Sequence, residues 1–129
     1  MTKELQNYCT LIMQSWSKET AHPSYQSKWS KENMACGQCA VTVLAVNDIC
    51  EDMQIYKCKV GRSTHYFNKT KNGDVIDLTM MQFNCRIDYS SGVPASRRNL
   101  LKVAHVKERY RLLKSRMGQI AIGDINIAV

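Results

Sequence analysis

From Lys3 to Trp16 the apolar residues Leu5, Tyr8, Leu11, Ile12 and Trp16 recur at steps of three and four, which aligns them on one face of a helix turned toward a core. Residues 17–35 are polar, contain Pro23 and follow neither helical nor strand periodicity. They read as a long surface loop that Trp29 pins to the body, and loops of this length in small domains are often functional. Gly37 then interrupts the chain. Residues 38–50 (QCAVTVLAVNDIC) are apolar nearly all round, the pattern of a helix buried at the centre of a fold, with Cys39 in its first turn. Residues 53–60 predict a strand, with Gln54, Tyr56, Cys58 and Val60 on one face and Met53, Ile55, Lys57 and Lys59 on the other. Residues 64–70 and 74–78 flank Lys71-Asn72-Gly73, and Asn-Gly between such runs is a strong hairpin signal. Residues 86–96, with Gly92 and Pro94, read as a loop leading into a helix on which Val103, Val106, Tyr110, Leu113 and Met117 follow 3-4 spacing. In residues 118–129 the alternation Ile120/Ile122 and Ile125/Ile127/Val129 predicts an added strand or an apolar tail. No internal repeat is visible.

A length of 129 residues with 44% hydrophobic content suits a single domain spanning 1–129. The N-terminal residues lack the pattern of an export signal, and no apolar run reaches the roughly 20 residues of a membrane span. A cytoplasmic location without membrane contact is the expectation. Cys9, Cys36, Cys39, Cys50, Cys58 and Cys85 are then expected as free thiols, most of them small core residues. The net charge of +7 is concentrated: residues 97–116 hold eight Lys and Arg against the single acid Glu108, an excess equal to that of the whole chain.

A thiol attacks carbonyls as the thiolate, so the environment of Cys39 matters most. The first turn of a helix carries unpaired N–H groups and the positive end of the helix dipole, which favour thiolate and can receive a developing oxyanion. Gly37 allows close backbone approach there, and Gln38 offers an amide donor beside the nucleophile. Of the three histidines, His65 lies on a strand of the central hairpin, whereas His22 falls in the polar loop and His105 on the basic helix. Asp77, on the partner strand, is the natural group to orient the imidazole. The hairpin register tests this. A two-residue Asn72-Gly73 turn pairs Asn68 with Asp77 and turns His65 away, while a three-residue Lys71-Asn72-Gly73 loop pairs Phe67 with Asp77 and puts His65 diagonally beside it.

The run Gly37-Gln38-Cys39-Ala40-Val41-Thr42, then His65-Tyr66-Phe67-Asn68, Asn72-Gly73, Asp77-Leu78-Thr79 and Gln82-Phe83, preceded by Trp16 and residues 17–20, resembles the YunG-like family of small bacterial proteins. The resemblance covers roughly residues 16–83. Phe67 stands where the family often has Trp, and Cys36 is not one of its features. The resemblance implies a papain-like or transglutaminase-like Cys-His-Asp arrangement, a nucleophile helix packed on an antiparallel sheet. It carries over Gly37, Gln38, Cys39, His65, Asn68 and Asp77 as candidate site residues, Asn68 on this ground alone.

Competing readings are simpler. Cys36-Gly37-Gln38-Cys39 is a CxxC, but the polar loop before it does not match a thioredoxin-like strand, and no second ligand pair accompanies it for zinc. The Cys39 thiol and His65 are each, alone, ordinary structural residues; their joint occurrence favours chemistry. The basic segment is an outer solvated face or, through Arg97, Arg98, Lys102 and Arg109, a surface for an acidic protein partner; nucleic acid is less favoured because Tyr110 is the single aromatic among its charges. The expectation is therefore an α+β domain: a buried helix carrying Cys39 on a small antiparallel sheet, with a C-terminal basic helix. Its expected function is that of a cysteine-dependent hydrolase or acyl transferase acting on a small-molecule or protein substrate without metal or cofactor. The alternative is a non-enzymatic binding module of the same fold.

Overall fold

The structure, a computed structural model, describes residues 1–50 and 52–128, with side chains as far as Gly123. Helix α1 spans Lys3–Ser15 and is capped by Thr2, whose Oγ1 accepts the Leu5 N–H at 3.2 Å. Its inner face buries Cys9, Ile12 and Ser15, with Leu5, Tyr8 and Leu11 packed alongside. Helix α2, Cys39–Ile49, buries every residue from Ala40 to Val46, as its unbroken apolar run requires. One of its faces meets Ile12, Trp16, Leu113 and Met117; another meets Ile55, Leu100 and Val106.

Strands β1 (Gln54–Val60), β2 (Ser63–Lys69), β3 (Val75–Ile76) and β4 (Val93–Pro94) form one antiparallel sheet in the order β3-β2-β1-β4. Burial on β1 does not follow the single-face alternation, because Ile55 and Cys58 are both buried on opposite faces. The sheet is covered twice: α2 packs on the Ile55 and Asn68 side, and residues 83–89 pack on the Cys58 and Phe67 side. Coverage of the second face comes from the segment expected as a plain loop, which also supplies β4. With only two residues, β4 is an edge too short to show periodicity.

Three further expectations are corrected. Residues 17–35 are not simply a surface loop: Ser17, Thr20 and Ala21 are buried, Pro23–Lys28 form a 3-10 helix, and Trp29 donates to the Met34 carbonyl of its own loop at 2.9 Å. The basic helix is two helices, α3 (Arg97–Leu101) and α4 (Val106–Ala128), broken where His105 takes φ +66°. Val103 falls in that break and is exposed. The C-terminal segment continues α4 through Ala128 instead of forming a strand; Val129 lies outside the described residues. Extending an existing helix adds one hydrogen bond per residue, whereas a new strand needs a partner edge.

Candidate active site

Three segments converge at the start of α2. Gly37 sits at φ +71°, its carbonyl accepting the His22 N–H at 2.9 Å and its own N–H donating to Gln82 Oε1 at 3.1 Å. A Cβ here would stand 2.9 Å from the His22 nitrogen, so glycine is required by both backbone conformation and space. Cys39 follows as the first residue of α2 and is partly exposed. The residue before it, Gln38, makes no side-chain cap bond, so the first-turn N–H groups are not consumed by capping.

The Gln38 side chain is not beside the thiol as a free donor. It is fully buried, its Nε2 donating to the Ser17 carbonyl at 2.8 Å and its Oε1 accepting from Thr20 Oγ1 at 2.8 Å. This group fastens residues 17–20 beneath the helix start. A buried primary amide must satisfy its polar atoms, and the loop's carbonyl and hydroxyl do so.

On β2, His65 pairs with Cys58 and its ring is completely buried. Its Nε2 lies 2.6 Å from Asp77 Oδ2. The register decides this contact. Asn68 pairs with Ile76 and Lys69 with Val75, while the Thr70 N–H bonds the Asp74 carbonyl and Gly73, at φ +88°, returns its N–H to the Thr70 carbonyl. This is the three-residue loop, and continuing it places Asp77 opposite Phe67, diagonal to His65. Asp77 is itself held: Oδ2 also accepts from Tyr89 Oη at 2.8 Å, and Oδ1 accepts from the Thr79 N–H and hydroxyl at 3.1 and 3.2 Å. Phe83 stands edge-on to the imidazole, ring centres 5.0 Å apart.

Burial alone disfavours the imidazolium, but the hydrogen bond to Asp77, then interaction with Cys39 and the charges of both, raise the His65 pKa from 6.5 to about 9. Nδ1, the other ring nitrogen, is buried with no hydrogen bond of acceptable geometry among the described residues. After Asp77, Cys39 is the other side chain that raises the His65 pKa, which puts the thiol within the electrostatic reach of the ring. All six cysteines are unpaired, and the described residues contain no cluster of three metal-ligating side chains.

Cys39 opens onto a cavity of about 740 Å³ whose walls include Cys36, Tyr25, Tyr66, Gln82 and Phe83. Gln82 was visible in the sequence only as part of a family motif. Here its Oε1 is used by Gly37 while its Nε2 is buried with no partner among the described residues, an unspent donor in the wall of the cavity that Cys39 also lines. No local sequence signal marks it, because the approach of Gln82 to Gly37 depends on packing across 45 residues.

The other candidate positions are corrected or dispersed. Asn68 faces α2, its Nδ2 donating to the Val43 carbonyl at 3.3 Å, on the sheet face opposite His65; alternation along β2 forbids it from sharing the site. Arg97 is an anchor and not a free binding group: it bonds the Leu44 carbonyl at 3.0 Å, Asn47 at 3.1 Å, Asp48 at 2.6 Å and Tyr110 at 3.0 Å. Asp48 also draws in Lys114 at 3.1 Å. Arg109 turns inward, 5% exposed, donating to the Thr20 carbonyl at 3.0 Å and the His105 carbonyl at 3.2 Å. Arg98 and Lys102 remain exposed. No helix among the described residues is long and apolar enough to cross a membrane.

No solved structure matches this chain. A protein of Bacillus subtilis (strain 168) named "Uncharacterized protein YunG" is 39% identical over 87 residues, covering 67% of this chain and 69% of that one. The family model described as YunG protein matches residues 4–121, from the first turn of α1 well into α4. Both the folded body and the elements that carry Cys39, His65 and Asp77 fall inside that match, and the chain belongs to the YunG family.

Proposed function

We propose that this protein is a cysteine-dependent hydrolase or acyl transferase acting on an amide or ester, with Cys39, His65 and Asp77 in a papain-like arrangement. The observation that carries the reading is the buried His65 ring, held through Nε2 by Asp77, with Nδ1 unpartnered among the described residues and Cys39 acting on the ring's charge. Buried side-chain polar atoms are in the large majority hydrogen-bonded, so a free imidazole nitrogen here favours a chemical role.

In the first half-reaction the Cys39 thiolate, its proton already resting on the His65 ring, attacks through Sγ and bonds to the acyl carbon while the carbonyl electron pair moves onto oxygen. The oxyanion that forms accepts from the Cys39 N–H and from Gln82 Nε2, a donor that needs no new partner surrendered to it. His65 then passes its proton to the departing amine or alcohol as the carbon–heteroatom bond breaks, leaving a thioester. Water, deprotonated by His65, attacks that thioester; the C–S bond breaks, the acid departs and Cys39 is again a thiolate with the proton on His65. An incoming amine or alcohol in place of water makes the same cycle a transfer. Asp77 holds one tautomer and orientation throughout. The alternative binding module is less favoured because Arg97 and Arg109 bond carbonyls of the fold itself, which leaves it Arg98 and Lys102.

Exposure to p-nitrophenyl acetate, followed by peptide mass spectrometry, tests this. Cys39 is expected to be acetylated before Cys36, Cys50 and Cys85 and to shed the acetyl group with time, both steps failing in His65→Ala and in the bulkier replacement His65→Gln. Acetylation of Cys39 at the pace of Cys85, or undiminished in a folded His65 variant, overturns the reading.

A further inference from the structure

The cavity in front of Cys39 has a one-signed wall. Lys28 reaches it from the 3-10 helix, Arg62 from the β1–β2 turn and Arg109 from α4, and no Asp or Glu is among the residues that line it. None of these three cations is in an ion pair among the described residues. Arg109 is the most telling. It is buried, its bonds go to neutral carbonyls, and burying a guanidinium without a carboxylate is costly. Glu19 and Glu108 line a separate small cleft that Arg109 also borders, and neither forms an ion pair with it. Neutral donors are present as well: Ser63 lines the same wall, with its Oγ 2.7 Å from Tyr25 Oη.

Within the catalytic reading above, on which this rests, the active pair adds no net charge, because a proton moved from Cys39 to His65 leaves one negative and one positive group. Asp77 adds one negative charge at the far nitrogen of His65, outside the cavity lining, so the three cations still outnumber the site's anions until something anionic enters. We infer that the substrate is an anionic acyl compound whose carboxylate or phosphate group is held by Lys28, Arg62 and Arg109 while its amide or ester carbonyl lies against Cys39. Low-dielectric walls strengthen such attraction and concentrate anions at the site.

The cations have a competing role, which is to favour the Cys39 thiolate alone. The rate constants for alkylation by iodoacetate and iodoacetamide separate the two, because their ratio cancels the fraction of thiolate and keeps only the preference for a charged reagent. Cys39 in the native protein is expected to show an iodoacetate-to-iodoacetamide ratio well above that of the same cysteine in the urea-unfolded chain. Combined Lys28→Gln and Arg62→Gln, both exposed and outside the fold's hydrogen-bond network, should lower that ratio on the order of tenfold, and added salt should do the same. Protection of Cys39 against iodoacetamide by succinate, or by inorganic phosphate, then distinguishes a carboxylate from a phosphate substrate. A native ratio equal to the unfolded one, or unmoved by the double variant, overturns the anionic substrate while leaving the nucleophile standing. Failure of Cys39 acetylation strikes the nucleophile instead.

Discussion

Replacing Asp77 by Asn removes one negative charge and leaves the side-chain shape, so it isolates the electrostatic part of the His65 contact. In the native protein the His65 pKa rises from 6.5 to about 9 despite complete burial, with Asp77 the largest favourable cause. A rise of that size corresponds to about 3 kcal/mol of preference for the protonated ring in the folded state. The group has a folded pKa above its unfolded value, so this stability is fully present below 6.5 and is lost as pH climbs through about 9. Asn also presents an amide where Oδ2 now accepts from both His65 and Tyr89, forcing one of them to lose its partner. Urea denaturation of both proteins at about pH 6 should therefore give a deficit for Asp77→Asn of about 2–4 kcal/mol. At about pH 10, where His65 is neutral in either protein, the deficit should shrink to about 1 kcal/mol, the value of an ordinary hydrogen bond. A deficit of equal size at both pH values refutes the charged imidazole, and with it the reason for its orientation.

Gln82→Ala removes the acceptor of the Gly37 N–H and should cost about 1–2 kcal/mol in denaturant titration. Asn68→Ala should destabilise by about 1–3 kcal/mol while Cys39 alkylation in the folded variant keeps the wild-type rate. Parallel loss of Cys39 reactivity in that variant contradicts its place on the α2 face. Two of the three positive-φ glycines, Gly37 and Gly73, should differ under alanine substitution. Gly73→Ala meets no atom within 4 Å and should cost about 1 kcal/mol from backbone conformation alone. Gly37→Ala adds contact with the His22 backbone at 2.9 Å, and thermal unfolding should report a distinctly larger loss.

Much of the site was legible because its parts are local. Cys39 follows a positive-φ glycine at the start of a helix, and an apolar run marks that helix as central. Asn72-Gly73 marks the hairpin, and side-chain alternation reduces the relation of His65 and Asp77 to a choice between two registers. Choosing between them required Asp74 to pair with Thr70 instead of Lys71, a difference of one residue that turn composition alone leaves open. The family motif reached the same residues, but it carried Asn68 along with His65, and strand alternation in the folded sheet puts these two, an odd three residues apart, on opposite faces.

What no local pattern contains is the partner of each polar side chain. Gln38 finds Ser17, Gln82 finds Gly37 and Arg109 finds Thr20, across 21, 45 and 89 residues respectively. The basic segment read as one outward face because charge is usually solvated, yet α4 lies against α1 and α2, so some of its cations meet buried carbonyls and Asp48. The C-terminal alternation of isoleucines likewise suggested a strand, and an already formed helix extended through it. Hydrophobic periodicity therefore marked α1, α2 and the central hairpin, and failed where burial or element type is set by neighbours, as at residues 17–21 and along the end of α4. Which polar group each buried residue meets, and the sign of charge around Cys39, follow from how those elements pack, because hydrogen bonds and Coulomb forces act over distances that the order of residues in the chain does not encode.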